Sequence, residues 1–428
     1  MTFGDLILYD NGLIYPNAAD AEEMLYLRRG DGGYFVAYDG KMLAFMGDGT
    51  GKTIGETPVN FLLSSVGVFY SPTDPLITQD YNYVVDGSNH VYSFFKQILG
   101  WKDGGGYTAQ FTTHLGGSSI DLGGRLVSFT NIIYSYALAY NATHRPVYTG
   151  VYYTDDKYSA AGDNFIFLNK AGGAALSESD FDTSVLWDWD ATNTVRFSFP
   201  NVCKTLFDSK GRPVLTSSYF EIVKDISGKP LYQNYRAVPD NETLYAYVYG
   251  QHSDSSVVGG NGALVARVKV YESGAWLNAG TDPIFNGSTW EFWNGYFWGD
   301  DMEEARAVTD LVEYQFFVDV QFDPHRNKFI MLRSQISDNF YTDGWDENTV
   351  FKTSILESDT PYGIFTNEKV LVLTDYDEDR KYIGGATFFG ILEDRLVVTA
   401  SFAYPAVWTD YNTDPVGAGA YFGSVPIT

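Results

Sequence analysis

Cysteine is almost missing from this chain of 428 residues, where Cys203 stands alone. That excludes an intramolecular disulfide, a cysteine-based zinc site and a redox pair, and fits a cytoplasmic, viral or bacterial product better than a small secreted domain. Basic residues are scarce too, with 28 Lys and Arg against 54 Asp and Glu and a formal net charge of −26. Such a surface repels phosphate backbones and anionic headgroups, so the expected partner is neither nucleic acid nor membrane. No apolar run approaches the length of a membrane span. The first residues, Met1 to Leu8, have no basic segment ahead of an apolar one and do not read as a signal peptide. On that reading, action outside a cell needs lysis, carriage on a particle or removal of a leader. The histidines His90, His114, His144, His252 and His325 have no zinc spacing. A phosphate-binding glycine loop, a nucleophile elbow and a catalytic triad signature are all missing.

What is plentiful is aromatic and turn-forming. Aromatics make up 17% of the chain, with 33 Tyr and 30 Phe, which favours strands and surfaces that stack on flat ligands such as sugar rings. Helical pattern is confined to one turn at 18–27. Elsewhere short apolar runs alternate with Asp, Gly and Asn turns. Two runs, Tyr34 to Tyr38 and Met42 to Met46, flank Asp39-Gly40, the commonest signal for a two-residue hairpin. A unit of strand, tight turn and strand recurs at Gly33 to Met46, Ser118 to Thr130, Cys203 to Ser217, Val318 to Arg333 and Gly385 to Thr399. Radial repetition of that unit predicts an all-β fold: a five-bladed β-propeller with long inter-blade loops. It is expected to form one domain over residues 1–428, with 1–29 as a lead-in segment packed on the propeller. A pair of β-sandwiches is the structural alternative.

The first hairpin carries carboxylates at its open ends: Asp31 between glycines, and Asp48 between Gly47 and Gly49. Antiparallel strands of similar length bring those ends to one edge, where two carboxylates beside glycines make an acid/base or sugar-binding constellation. Turn aspartates capping backbone amides are an equal reading. Glu313, in the apolar, aromatic run Leu311 to Val318, is the best acid from another repeat, since such surroundings raise a carboxyl pKa. An outward-facing charge on an alternating strand is its alternative. Between Trp290 and Trp298 lie Trp290, Phe292, Trp293, Tyr296, Phe297 and Trp298, and Trp187 with Trp189 forms a second cluster. Trp290, Trp293, Trp298, Trp187 and Trp189 are candidate sugar-stacking platforms, with burial in the core as the competing reading. Asp375 to Arg380 has the alternate carboxylates of a calcium loop, but Arg380 takes the glycine position and Ala386 the bidentate glutamate position. No cofactor is therefore expected, and that run is the sole, weak support for a structural calcium ion. The sequons at Asn141, Asn241 and Asn286 carry no weight without a secretion signal.

The run Gly30 to Thr50 resembles the first blade of five-bladed propellers related to glycoside hydrolases, in particular the DUF4185-like group. That group has the approximate pattern Asp-Gly-Gly, Asp-Gly-Arg-x-Leu, Phe-Gly-Asp-Thr. Phe322 to Ser334 is similar to a middle blade, and Thr360 to Phe365 with Arg395 to Ser401 is similar to a final blade. Met46, and Gly49 before Thr50, depart from the pattern around Asp48. Because the wider group includes arabinan- and arabinogalactan-cleaving enzymes, the resemblance implies a glycoside hydrolase acting on polysaccharide. Catalysis would then fall to Asp31, Asp48 and Glu313 in the propeller funnel. The alternative is a non-catalytic propeller that binds glycan or builds a phage tail, virion or other surface assembly.

Overall fold

The structure is a computed structural model. It describes residues 1–13, 27–38, 41–51, 59–62, 66–70, 81–83, 109–112, 118–122, 124–136, 147–154, 197–214, 241–252, 262–277, 290–310, 315–336, 351–374, 381–403 and 418–428. These residues are strand and turn almost throughout, with a single 3-10 turn at Met302–Glu304.

Among the described residues the strands form five antiparallel sheets. Strand β1 (Ile7–Leu13) belongs to the last of them. The first sheet runs β2 (Leu27–Tyr38), β3 (Lys41–Gly51), β5 (Val66–Tyr70), β6 (Tyr81–Tyr83), with β4 (Val59–Leu62) also on β3. In the second, β7 (Ala109–Thr112), β8 (Ser118–Asp121) and β10 (Val147–Thr154) all pair with the long β9 (Leu126–Tyr136). The third joins β11 (Phe197–Val202) to β14 (Thr243–His252), β15 (Leu264–Glu272), β17 (Glu291–Trp293) and β18 (Trp298–Gly299). Short strands β12 (Leu206–Asp208), β13 (Pro213–Val214) and β16 (Ala275–Trp276) branch from it. The fourth is β19 (Gln315–Asp323), β20 (Lys328–Ile336), β21 (Phe351–Ser358) and β22 (Thr366–Thr374). The fifth runs β23 (Lys381–Ile391), β24 (Arg395–Ala403), β25 (Ala418–Pro426) and then β1, which ties the start of the chain to its end. The tie continues beyond β1, where the Thr2 amide donates to the Thr428 carbonyl and the Thr428 amide to that of Thr2.

The sequence explains much of this locally. Tyr38 pairs with Lys41, so β2 and β3 are adjacent strands of one hairpin, as the sequence signal between them predicts. Other turns are built on an aspartate that accepts from the amides ahead of it: Asp121 from Gly124, Asp208 from Lys210 and Arg212, and Asp323 from His325 and Arg326. Positive φ falls on Gly124, Gly211 and Asn327 in those turns, the residue types that tolerate it. The recurring units at Gly33, Ser118, Val318 and Gly385 are each the first hairpin of a sheet. The unit at Cys203 is not, because β11 pairs with β14 across a long excursion and the Cys203 hairpin is only the β12–β13 branch.

Successive sheets from the second to the fifth pack face to face, and the fifth packs against the first. Ile120, Val127 and Phe129 of the second meet Val248, Ala266 and Phe292 of the third, where Trp290 is also buried. Tyr247, Tyr249 and Val265 meet Val318, Val320 and Phe322 of the fourth. Ile330, Leu332 and Ile355 meet Phe388, Leu396 and Val398 of the fifth. Phe35 of the first then stacks edge-on against Phe389 at 5.2 Å between centroids and contacts Phe422. Along the inner edge β2 lies beside β8, β8 beside β11, β11 beside β19, β19 beside β23, and β23 beside β2.

Candidate functional site at the inner edge of the sheets

The inner strands run in a common direction. The Tyr38 hydroxyl at the end of β2 donates to the Gly124 carbonyl just past β8. The Arg326 guanidinium past β19 donates to the Glu393 carbonyl past β23. Between them β11 and β19 advance in step, since Asn201 bonds Asp319 and the Lys204 amide bonds Gln321. The hairpin turns therefore gather at one end, and the starts of the strands gather at the other.

Midway between those ends is a buried polar hub to which every sheet contributes. Asp319, 1% exposed, accepts at Oδ1 from Asn201 Nδ2 at 3.0 Å and Gln321 Nε2 at 2.8 Å. Its Oδ2 accepts from the Phe388 amide of β23 at 2.8 Å. The Asn201 side chain also donates to Ser118 Oγ of β8 and accepts from the Val320 amide. Lys204 Nζ donates to Ser118 Oγ at 2.9 Å and to the Val202 carbonyl at 3.1 Å, 5.8 Å from the centroid of the Tyr34 ring. Tyr34 of β2 completes the circuit by donating to the Val318 carbonyl. Burial raises the Asp319 pKa, opposed by the Lys204 charge and the donors from Phe388, Gln321 and Asn201. Burial likewise lowers the Lys204 pKa to about 8 despite the Asp319 carboxylate. Such a satisfied network fixes how the sheets meet; with every Asp319 acceptor engaged, it is a structural centre rather than a set of free reagents.

The predicted carboxylates lie towards the strand-start end. Asp31 is on the inner strand β2, with its Cα opposite Gly47 of β3. Asp48 is the next residue on β3 and does not face Asp31 directly. The register slips between Arg29 opposite Thr50 and Asp31 opposite Gly47, placing Asp48 and Gly49 in a bulge, and slips again between Asp31 and Tyr34 around Gly32 and Gly33. Bulges of this kind re-aim side chains and collect beside active sites. Glu313, Trp187 and Trp189 lie outside the described residues, as does the acidic run Asp375 to Arg380.

The tryptophan cluster divides. Trp290 is a correction: at 0% exposure, packed edge-on against Phe129 at 5.5 Å, it belongs to the core and has no face to offer a sugar. Trp293 and Trp298 are half-buried and pack together at 5.3 Å and against Tyr362 at 4.7 and 5.5 Å. The Arg267 guanidinium covers the Trp298 ring at 4.5 Å. The exposed rings are the two that sequence reasoning passed over, Tyr296 at 90% and Phe297 at 58%. Both sit in the β17–β18 turn, where Asn294 Oδ1 accepts from their amides. Strand pairing of Trp293 with Trp298 leaves the residues between them as the loop tip, and the Asn294-Gly295 step could have signalled it.

No protein family pattern matches the chain, and no curated protein matches it. Among solved structures it is similar to a candidate hydrolase from Bacteroides ovatus, 13% identical with TM-score 0.51, covering 99% of this chain and 93% of that one. More distant is an exo-β-1,3-galactanase from Clostridium thermocellum, 8% identical with TM-score 0.46, covering 99% of this chain and 63% of that one. A family 43 glycoside hydrolase from Bacillus licheniformis is 10% identical with TM-score 0.41, covering 93% of this chain and 71% of that one. At such identities the likeness to the Bacteroides ovatus structure is one of fold alone, and that fold is all-β among the described residues.

Proposed function

We propose that the protein is a glycoside hydrolase in which the five sheets are the blades of a five-bladed propeller of the DUF4185-like kind, acting on an arabinan-like or other neutral polysaccharide. Hydrolysis of a glycosidic bond needs one carboxyl to protonate the leaving oxygen and a second carboxylate to attack or to activate water. The observation that carries the reading is the place of Asp31, on an inner strand, towards the end where the strands begin, between two register slips beside glycines. Asp48 in the adjacent bulge is the second carboxylate. Glu313, two residues ahead of Gln315 at the start of β19, is the third and supplies the acid. The reading needs no cofactor. The exposed Tyr296 and Phe297 favour a second reading, a propeller that holds glycan without cleaving it, as a part of a virion or surface assembly would.

Incubation of the native protein with a panel of plant and mycobacterial polysaccharides, beside Asp48→Asn, separates the two. New reducing ends from the native protein and not the variant support hydrolysis. Retention of a polysaccharide by both proteins with no new ends supports the binding reading and removes the enzymatic one.

A further inference from the structure

The fourth sheet carries a buried cation whose hydrogen bonds are incomplete. Arg333 of β20 is 2% exposed, and only Nη2 is engaged, donating to Glu368 Oε1 at 3.0 Å. Nε and Nη1 are buried without an acceptor. Two residues on, and so on the same face of the strand, Gln335 is 6% exposed with its Oε1 buried and lacking a donor. Across on β21 the register sets Ser354 beside Arg333 and Lys352 beside Gln335. Lys352 Nζ also reaches Glu368 Oε1, at 2.7 Å, and both of those side chains are about one-third exposed, at 30% and 33%. The cluster thus has a buried floor, Arg333 and Gln335, and a solvent-facing rim, Lys352 and Glu368. Burial raises the Glu368 pKa, but Lys352, Ser354 and Arg333 outweigh it and hold that pKa at about 2.

Among the described residues two cations share one carboxylate here, in a chain whose net charge is −26. A charged donor buried without an acceptor keeps the full cost of its desolvation. A guanidinium edge is shaped for an oxyanion, whereas the Gln335 oxygen calls for a donor such as a hydroxyl. We propose that Arg333 and Gln335, with Lys352 and Glu368 at the rim, form a binding site for a hydroxycarboxylate, the chemistry presented by a uronic acid residue. Because the Arg333 Nε and Nη1 groups and Gln335 Oε1 are covered, the ligand displaces the Lys352–Glu368 pair at the rim, after which its carboxylate meets the guanidinium and a neighbouring hydroxyl donates to Gln335 Oε1. The site does not depend on the glycosidase reading, because the ligand is held here and not cleaved.

Calorimetric titration of the full chain with glucuronate, glucose and sulfate tests it. Glucuronate should bind saturably, glucose should not, and sulfate should bind more weakly. Arg333→Lys should weaken glucuronate at least about tenfold, because the planar fork is lost while the charge stays. Gln335→Leu should erase the advantage of glucuronate over sulfate. Glu368→Gln, which removes the competing carboxylate, should tighten glucuronate severalfold and so gives an opposite, independent sign if Arg333→Lys does not fold. Equal behaviour of glucuronate and glucose, no response to Glu368→Gln, or sulfate matching glucuronate in both the native protein and Gln335→Leu would each overturn the assignment.

Discussion

Replacing Asp319 with alanine should destabilise the protein by about 3–5 kcal/mol, the cost of removing one partner from a buried, charged network. The carboxylate joins three inner strands at once: its loss strands the Asn201 and Gln321 amides and the Phe388 N–H, and leaves Lys204 without the charge that offsets its burial. Asp319→Asn keeps one acceptor but turns a donor towards another donor, so a smaller loss of about 1–3 kcal/mol is expected. Urea unfolding of the three proteins measures the ranking. The same hub fixes the sign of a pH effect. The Lys204 pKa in the folded protein, about 8, lies below its ordinary value of 10.5, so the unfolded chain holds the extra proton between those values. The contribution of this group to stability is therefore lowest below pH 8 and rises towards pH 10. Lys204→Met should flatten that rise, and a loss of stability through the same window that depends on Lys204 would contradict the assignment.

Asp31→Asn should lower the rate of polysaccharide cleavage by about 10²–10⁴-fold, the usual range for removing a positioned acid or base, without moving the urea midpoint. Asparagine is close to isosteric and leaves the β2–β3 pairing opposite Gly47 in place. Activity retained within a few-fold of the native protein would remove Asp31 from the chemistry. A parallel drop in stability would recast it as one of the structural turn aspartates, such as Asp121 and Asp323.

The parts of this fold that were legible in the sequence are those specified by neighbours in the chain. Asp39-Gly40 marked the first hairpin and the Asp323 turn marked the β19–β20 hairpin, because both are local backbone chemistry. The pairing of β11 with β14 was not legible, since some forty residues separate the strands and the nearer turn at Ser209 to Arg212 draws attention to the β12–β13 branch. Strand β21 is hard to read from the sequence because Lys352, Ser354 and Glu357 interrupt its apolar alternation. Those residues face the Arg333 cluster or the Asn367 amide rather than bulk water alone. Asp319 and Gln321 alternate with Val318, Val320 and Phe322 as if on a solvent face. Their true surroundings are other inner strands, and only tertiary structure supplies those. Trp290 shows the reverse: an aromatic in a ring-rich segment reads as either ligand platform or core, and burial against Phe129 makes it core.

The most direct test of the account is a crystal structure of Asp31→Asn soaked with an oligosaccharide released from the polysaccharide that the native protein cleaves. Sugar density is expected at the end of the inner strands opposite the hairpin turns, within hydrogen-bonding reach of residue 31. Density confined to the outer turn around Tyr296, with that end of the strands empty, would contradict it.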